Sequence, residues 1–135
     1  MTDDRTDPKE ESPTHVEDAL YPPLTKVDLR AEAARVTETY KNFVVSAIND
    51  HCVRLAVMQG EYPWHKHRTS DECFLVLEGE LEIDVADDQT YRVRPGEAFT
   101  IPAGLVHRTR AQTRTVNLCF EAHDAYTDVV LEDHL

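Results

Sequence analysis

The 135-residue sequence predicts an all-β fold, an antiparallel sandwich or barrel with one short helix near its N-terminus. Two observations lead there. Short runs rich in Val, Ile, Leu, Phe and Tyr recur between Phe43 and Phe120, each bounded by turn-forming residues. Ahead of them a single segment, Asp28 to Val36, has helical rather than strand periodicity. Short strands at this spacing bury one face of each sheet against another and close into a sandwich or barrel. The length suits one domain with a real core and leaves no room for a second.

Taken in order, residues 1–20 are acidic and nearly free of aliphatic side chains. They cannot bury enough apolar surface to offset ordering, so a flexible tail is expected. Residues 21–42 form an N-terminal extension. Pro22-Pro23 forces an extended approach, then Asp28 can cap a short helix in which Leu29, Ala33 and Val36 share a face. That helix is expected to lie across the outside of a β-domain spanning residues 43–135. The strand runs are Phe43 to Ile48, Val53 to Met58, Tyr62 to His67, Glu72 to Leu77 and Glu80 to Val85. Tyr91 to Val93, Ala98 to Ile101, Val106 to Thr109 and Thr115 to Phe120 follow. Asn49-Asp50, Glu78-Gly79, Asp87-Asp88 and Pro95-Gly96 supply turns.

Chemistry concentrates in Gly60 to Gly79, GEYPWHKHRTSDECFLVLEG. Residues two apart on a strand point the same way, so the His65 and His67 imidazoles lean together. Arg68 to Asp71 reads as a polar turn, and a hairpin would bring Glu72 opposite both rings. In the second half, GEAFTIPAGLVH ends a strand in a Pro102-Ala103-Gly104 turn. Such a reversal can aim His107 at the first cluster. Imidazole nitrogens with one carboxylate oxygen suit a divalent first-row transition ion, so His65, His67, Glu72 and His107 form a candidate mononuclear site. Donor type alone does not choose among Fe, Mn, Ni, Zn, Cu and Co.

Gly60-x4-His65-x-His67-x4-Glu72-x6-Gly79 resembles the first motif of the cupin superfamily. Gly96-x5-Pro102-x-Gly104-x2-His107 resembles the second, and the likeness runs from about Val44 to about Phe120. It implies a jelly-roll β-barrel holding one metal ion on three histidines and a glutamate. Two positions depart from the pattern. Gly60 lies one residue closer to His65 than is usual, and Ala111 stands where the second motif often ends in asparagine.

A formal charge of −12 disfavours nucleic acid and anionic membranes as partners. Cys52, Cys73 and Cys119 are odd in number and unpaired by spacing, as expected of reduced thiols in a cytoplasmic protein. If Glu72 faces inward with Phe74 and Val76, then Cys73, Leu75 and Leu77 form a second apolar face. A homodimer would cover it. Arg54 and His51 are candidate contacts for an anionic substrate. Tyr62 is a third candidate, although it shares the strand phase of outward-pointing Trp64 and would need a local twist. Asn117 and Cys119 share a face opposite Val116, Leu118 and Phe120, and either face could be the inner one. His15, His123 and His134 are expected to be solvated. The resemblance implies either of two roles: a metal-dependent enzyme, dioxygenase-like or isomerase-like, acting on a small oxygen-bearing substrate with Glu72 as proton acceptor, or a non-catalytic ligand-binding barrel with a structural metal.

Overall fold

The computed structural model describes residues 17–131, so His15, His134 and most of the expected acidic tail lie outside the described residues. The chain runs through helix α1 (Leu29–Ala34) and strands β1 (Tyr40–Ile48), β2 (His51–His67), β3 (Glu72–Glu78) and β4 (Leu81–Val85). Strands β5 (Gln89–Val93), β6 (Ala98–Ile101), β7 (His107–Ala122) and β8 (Thr127–Val129) complete it. The fold is all-β with one short helix, as the sequence predicts.

Two long strands organise the barrel. β2 and β7 each merge two predicted runs, and they pair antiparallel along most of their lengths. Between Met58/Thr115 and Gly60/Ala111 the register shifts, and Gln112, Thr113 and Arg114 bulge into solvent. A bulge bends a strand and sharpens its twist. Gly60 sits at this corner with φ +108°, a conformation that costs glycine little. Beyond the bend, the two halves of each long strand serve different sheets. The first half of β2 and the second half of β7 join β1, β3 and β6. Their other halves join β8, β4 and β5. The interior is filled from both sheets: Met58, Phe74, Val76 and Cys119 meet Leu81, Ile83, Val85 and Val93.

The hairpin expected between the His-x-His segment and Glu72 does not form. β3 pairs with β6 and β7, never with β2, because the second half of β7 lies between them. Leu75, Leu77 and Phe120 do lie on an outer apolar face. There Leu29, Ala33 and Val36 of the helical segment pack over Val45, Val53, Leu55, Val116 and Leu118. The chain thus supplies part of that cover itself. Asp28 accepts from Ala31 N at 3.1 Å as the helix N-cap, and Arg114 Nη2 donates to Ala33 O at 2.6 Å.

Residues 17–20, expected as the end of a flexible tail, are instead fastened to β1. Val44 N donates to Glu17 Oε2 (3.0 Å) and Leu20 N to Val44 O (2.9 Å). His123, expected in solvent, is half-buried with Nε2 2.7 Å from Glu17 O. Local composition could not show this, since the partners are far apart in sequence.

Candidate metal centre

Strand phase and one irregularity aim the site. β2 advances three residues from Tyr62 to His65 while β7 retreats two, from Thr109 to His107. This bulge is the local twist that turns Tyr62 inward. Its ring sits edge-on to His65 at 4.9 Å and stacks with Tyr40 at 5.5 Å. Trp64 stays outside, beneath the Arg108 guanidinium at 4.9 Å. Glu72 approaches from the opposite sheet, on β3.

Two turns lock the halves together. Gly104 N donates to His67 O at 2.7 Å, and Ala103 N donates to Asp71 Oδ1 at 2.8 Å. Gly104 has φ +84°, which the reversal requires. The Pro102–Gly104 turn is therefore tied to the 68–71 turn, and His107 arrives beside His65 with ring centroids 4.3 Å apart.

Within the barrel His65, His67, Glu72 and His107 are all buried, and one donor atom from each lies within 4.8 Å of the others. Each histidine has its Nδ1 beside a main-chain carbonyl: Pro63 O for His65 (2.8 Å), Tyr126 O for His67 (3.3 Å) and Leu105 O for His107 (2.9 Å). A carbonyl only accepts, so Nδ1 carries the proton and Nε2 is left with a free lone pair. Such outer partners set the tautomer of metal-binding imidazoles. His67 Nε2 and His107 Nε2 face Glu72 Oε1 at 3.1 and 3.4 Å. Those three atoms are nevertheless buried without a hydrogen-bond partner. Convergent, buried, unpartnered nitrogens and oxygen are what a cation would satisfy. The residues fit a single divalent ion.

Electrostatics favour the cation-binding state at His65 and Glu72, whereas at His67 burial acts downward but the adjacent Glu72 outweighs it and the net direction is up. Burial, with His107 adjacent, pushes His65 down to about 4 and keeps it neutral at pH 7. For Glu72 burial acts upward, but the neighbouring His107 and His67 outweigh it and the net direction is down. Glu72 Oε2 accepts from the Cys119 thiol at 3.2 Å. Burial, followed by the Glu72 charge, raises that thiol well above its ordinary range, so it remains a protonated donor.

The remaining sequence candidates separate by strand phase. Arg54 shares the inner face with Ala56 and Met58, but acidic and amide groups already hold it. Its Nε donates to Glu121 Oε2 (3.0 Å), and Nη1 donates to Asn42 Oδ1 (3.1 Å) and Glu17 Oε1 (3.2 Å). His51 is in phase with Val53 and Leu55 on the outer face. It is exposed, has Nδ1 2.8 Å from Asp50 Oδ1, and is not brought to the cluster. Asn117 and Cys119 face inward, pairing with Ala56 and Arg54. Glu121 follows them on the same face, 6% exposed, with Oε1 3.8 Å from His67 Nε2. Sequence reasoning missed it. Alternation from Cys119 would have found it once the inner face of β7 was known.

Comparison with known proteins agrees with this geometry. The cupin domain family model matches residues 52–120. An uncharacterised protein of Bacillus subtilis, YdbB, is 52% identical over 105 residues, covering 78% of this chain and 93% of its own length. The crystal structure of a cupin-2 domain protein from Shewanella frigidimarina superposes with a TM-score of 0.67 at 28% identity, over 71% of this chain and 93% of that one. The DMSP lyase DddQ from Ruegeria pomeroyi is similar at TM-score 0.58 and 25% identity, over 70% of this chain and 52% of its own. Motifs, barrel and buried histidine-glutamate cluster together place this chain in the cupin family.

Proposed function

We propose that this cupin is a metal-dependent enzyme acting on a small organic substrate that binds through oxygen. One observation carries the reading: His67 Nε2, His107 Nε2 and Glu72 Oε1 converge, buried and unpartnered, inside the barrel. His65, His67, Glu72 and His107 would hold one divalent transition ion. Such an ion supplies Lewis acidity and positions for oxygen donors beside its protein ligands.

The chain's own residues do the rest. Carbonyls at Pro63, Leu105 and Tyr126 hold the rings in register. Tyr62 and Phe74 flank His65 and His107 and exclude water from the inner wall. Glu72 is the candidate proton acceptor: Cys119 steadies Oε2 while Oε1 faces the cluster. Arg54, expected as a carboxylate anchor, has its Nε and Nη1 engaged, which favours a substrate held mainly by the ion. The similar DddQ is a lyase by name and supports the view that a barrel of this kind can host an enzyme. We also propose a cytoplasmic location, for which the three free cysteines suit a reducing compartment. Among the described residues no helix is long and apolar enough to cross a membrane.

The test is elemental analysis of protein purified without added metal, followed by a turnover screen of hydroxy-carbonyl and enediol compounds. About one transition ion per chain is expected, with His107→Ala losing both metal and turnover while remaining folded. A metal-free protein that takes up no divalent ion would overturn the reading.

A further inference from the structure

Among the described residues, four buried side-chain atoms have no hydrogen-bond partner, and three of them belong to the metal-binding quartet. The fourth is Glu121 Oε1. Its carboxylate is held from behind: Arg54 donates to Oε2, and Arg54 is itself fixed by Asn42 and Glu17. So anchored, Oε1 faces the histidine cluster and stops 3.8 Å from His67 Nε2. Glu121 is outside the group whose donors lie within 4.8 Å of one another, so it borders the ion's position rather than completing the ligand set.

A buried carboxylate oxygen with no donor is costly, and among the described residues none donates to it. A ligand bound at the ion is placed to bring that donor. We propose that Glu121 Oε1 is a specificity-determining acceptor for a hydroxyl carried next to the ligand's metal-binding oxygen. The matching class is α-hydroxy acids, enediols and catechols. A second anionic group is disfavoured, because Glu72 and Glu121 line this side and the cation beside Glu121, Arg54, is already paired with Glu121 and Glu17. The assignment rests on the metal-binding reading above, and the experiment separates the two.

Co2+-loaded protein is titrated with glycolate and with methoxyacetate, following the visible Co2+ spectrum. Both probes present the same carboxylate and adjacent oxygen, but only glycolate has an O–H to donate. Comparing the affinity ratio between wild type and variants cancels their intrinsic difference in chelation. In Glu121→Gln, Arg54 keeps hold of the amide oxygen and turns the NH2 inward, replacing an acceptor with a donor. The glycolate-over-methoxyacetate ratio is expected to fall about tenfold, the scale of one charge-assisted hydrogen bond. Glu121→Ala, which removes the carboxylate without reversing polarity, has the same expected outcome should the glutamine variant fail to fold. An unchanged ratio in whichever variant folds overturns the assignment while leaving the metal site standing. Failure of the wild type to take up Co2+ overturns both.

Discussion

His65 and His107 each set a ring nitrogen against the carbonyl two residues earlier, Pro63 and Leu105. A strand entered through a bulge or a tight turn can fold a side chain back on its own backbone in this way. The histidines are thus oriented before any ion arrives. The glycines serve the same end unequally. At Gly79, φ is +82°, and a Cβ would stand 2.5 Å from Thr115 Oγ1 and 2.7 Å from Arg114 O. At Gly104, φ is +84° with nothing within 4 Å of a Cβ. Gly104→Ala should cost only left-handed strain, about 1 kcal/mol. Gly79→Ala adds a backbone collision and should cost about 3 kcal/mol or more. Urea unfolding of the two variants checks this; equal losses would mean that the Thr115 contact yields freely.

At the scale of elements, the outer face of β4 and β7 is joined by ions. Arg108 Nε and Arg110 Nε reach Asp84 Oδ2 at 2.8 and 2.7 Å, and Thr90 donates to Oδ1 at 2.6 Å. Arg110, opposed by burial but helped by Thr90 and Arg108, holds the Asp84 carboxyl well below its ordinary 3.8. A depressed carboxyl stabilises the fold above its unfolded value, and that contribution is lost as pH falls through and below it. Asp84→Asn should therefore destabilise by about 2 kcal/mol at pH 7, discounted for the partly exposed arginines. The gap to wild type should narrow below about pH 4. Denaturant titrations from pH 7 to pH 3 test it, and a gap that widens toward low pH contradicts the assignment. Alternation and turn residues made most strands legible. The merging of runs into β2 and β7 was not, because the bulges that carry the chain round the corner resemble turns in one dimension. β8 escaped notice as well; its Thr127–Val129 segment finds a place only by pairing with His65–His67.

For the whole molecule, the candidate ion would tie one sheet, carrying Glu72, to the other, carrying the three histidines. Chelation should lower the melting temperature by about 5 °C or more. His107→Ala should already melt at the chelated value and ignore the chelator. Differential scanning calorimetry with and without EDTA reads both, and a chelator-insensitive wild type argues against an ion at this place. The face bearing Leu75, Leu77 and Phe120 is only half-buried beside α1. We propose that a second copy covers it, and sedimentation at micromolar concentration should show a dimer; a monomer alone would refute this.

By itself the sequence determined the residues of the candidate metal site and the all-β class, because donor spacing and period-two alternation are properties of neighbours along the chain. It also named side chains sharing a face, such as Asn117 with Cys119, without saying which face was inside. Tertiary structure alone decided that, and with it the positions and contacts of Glu121, Arg54 and Cys119. Which strand lies beside which depends on hydrogen bonds between residues far apart in sequence, and a one-residue change of register would have turned every one of these side chains to the other side.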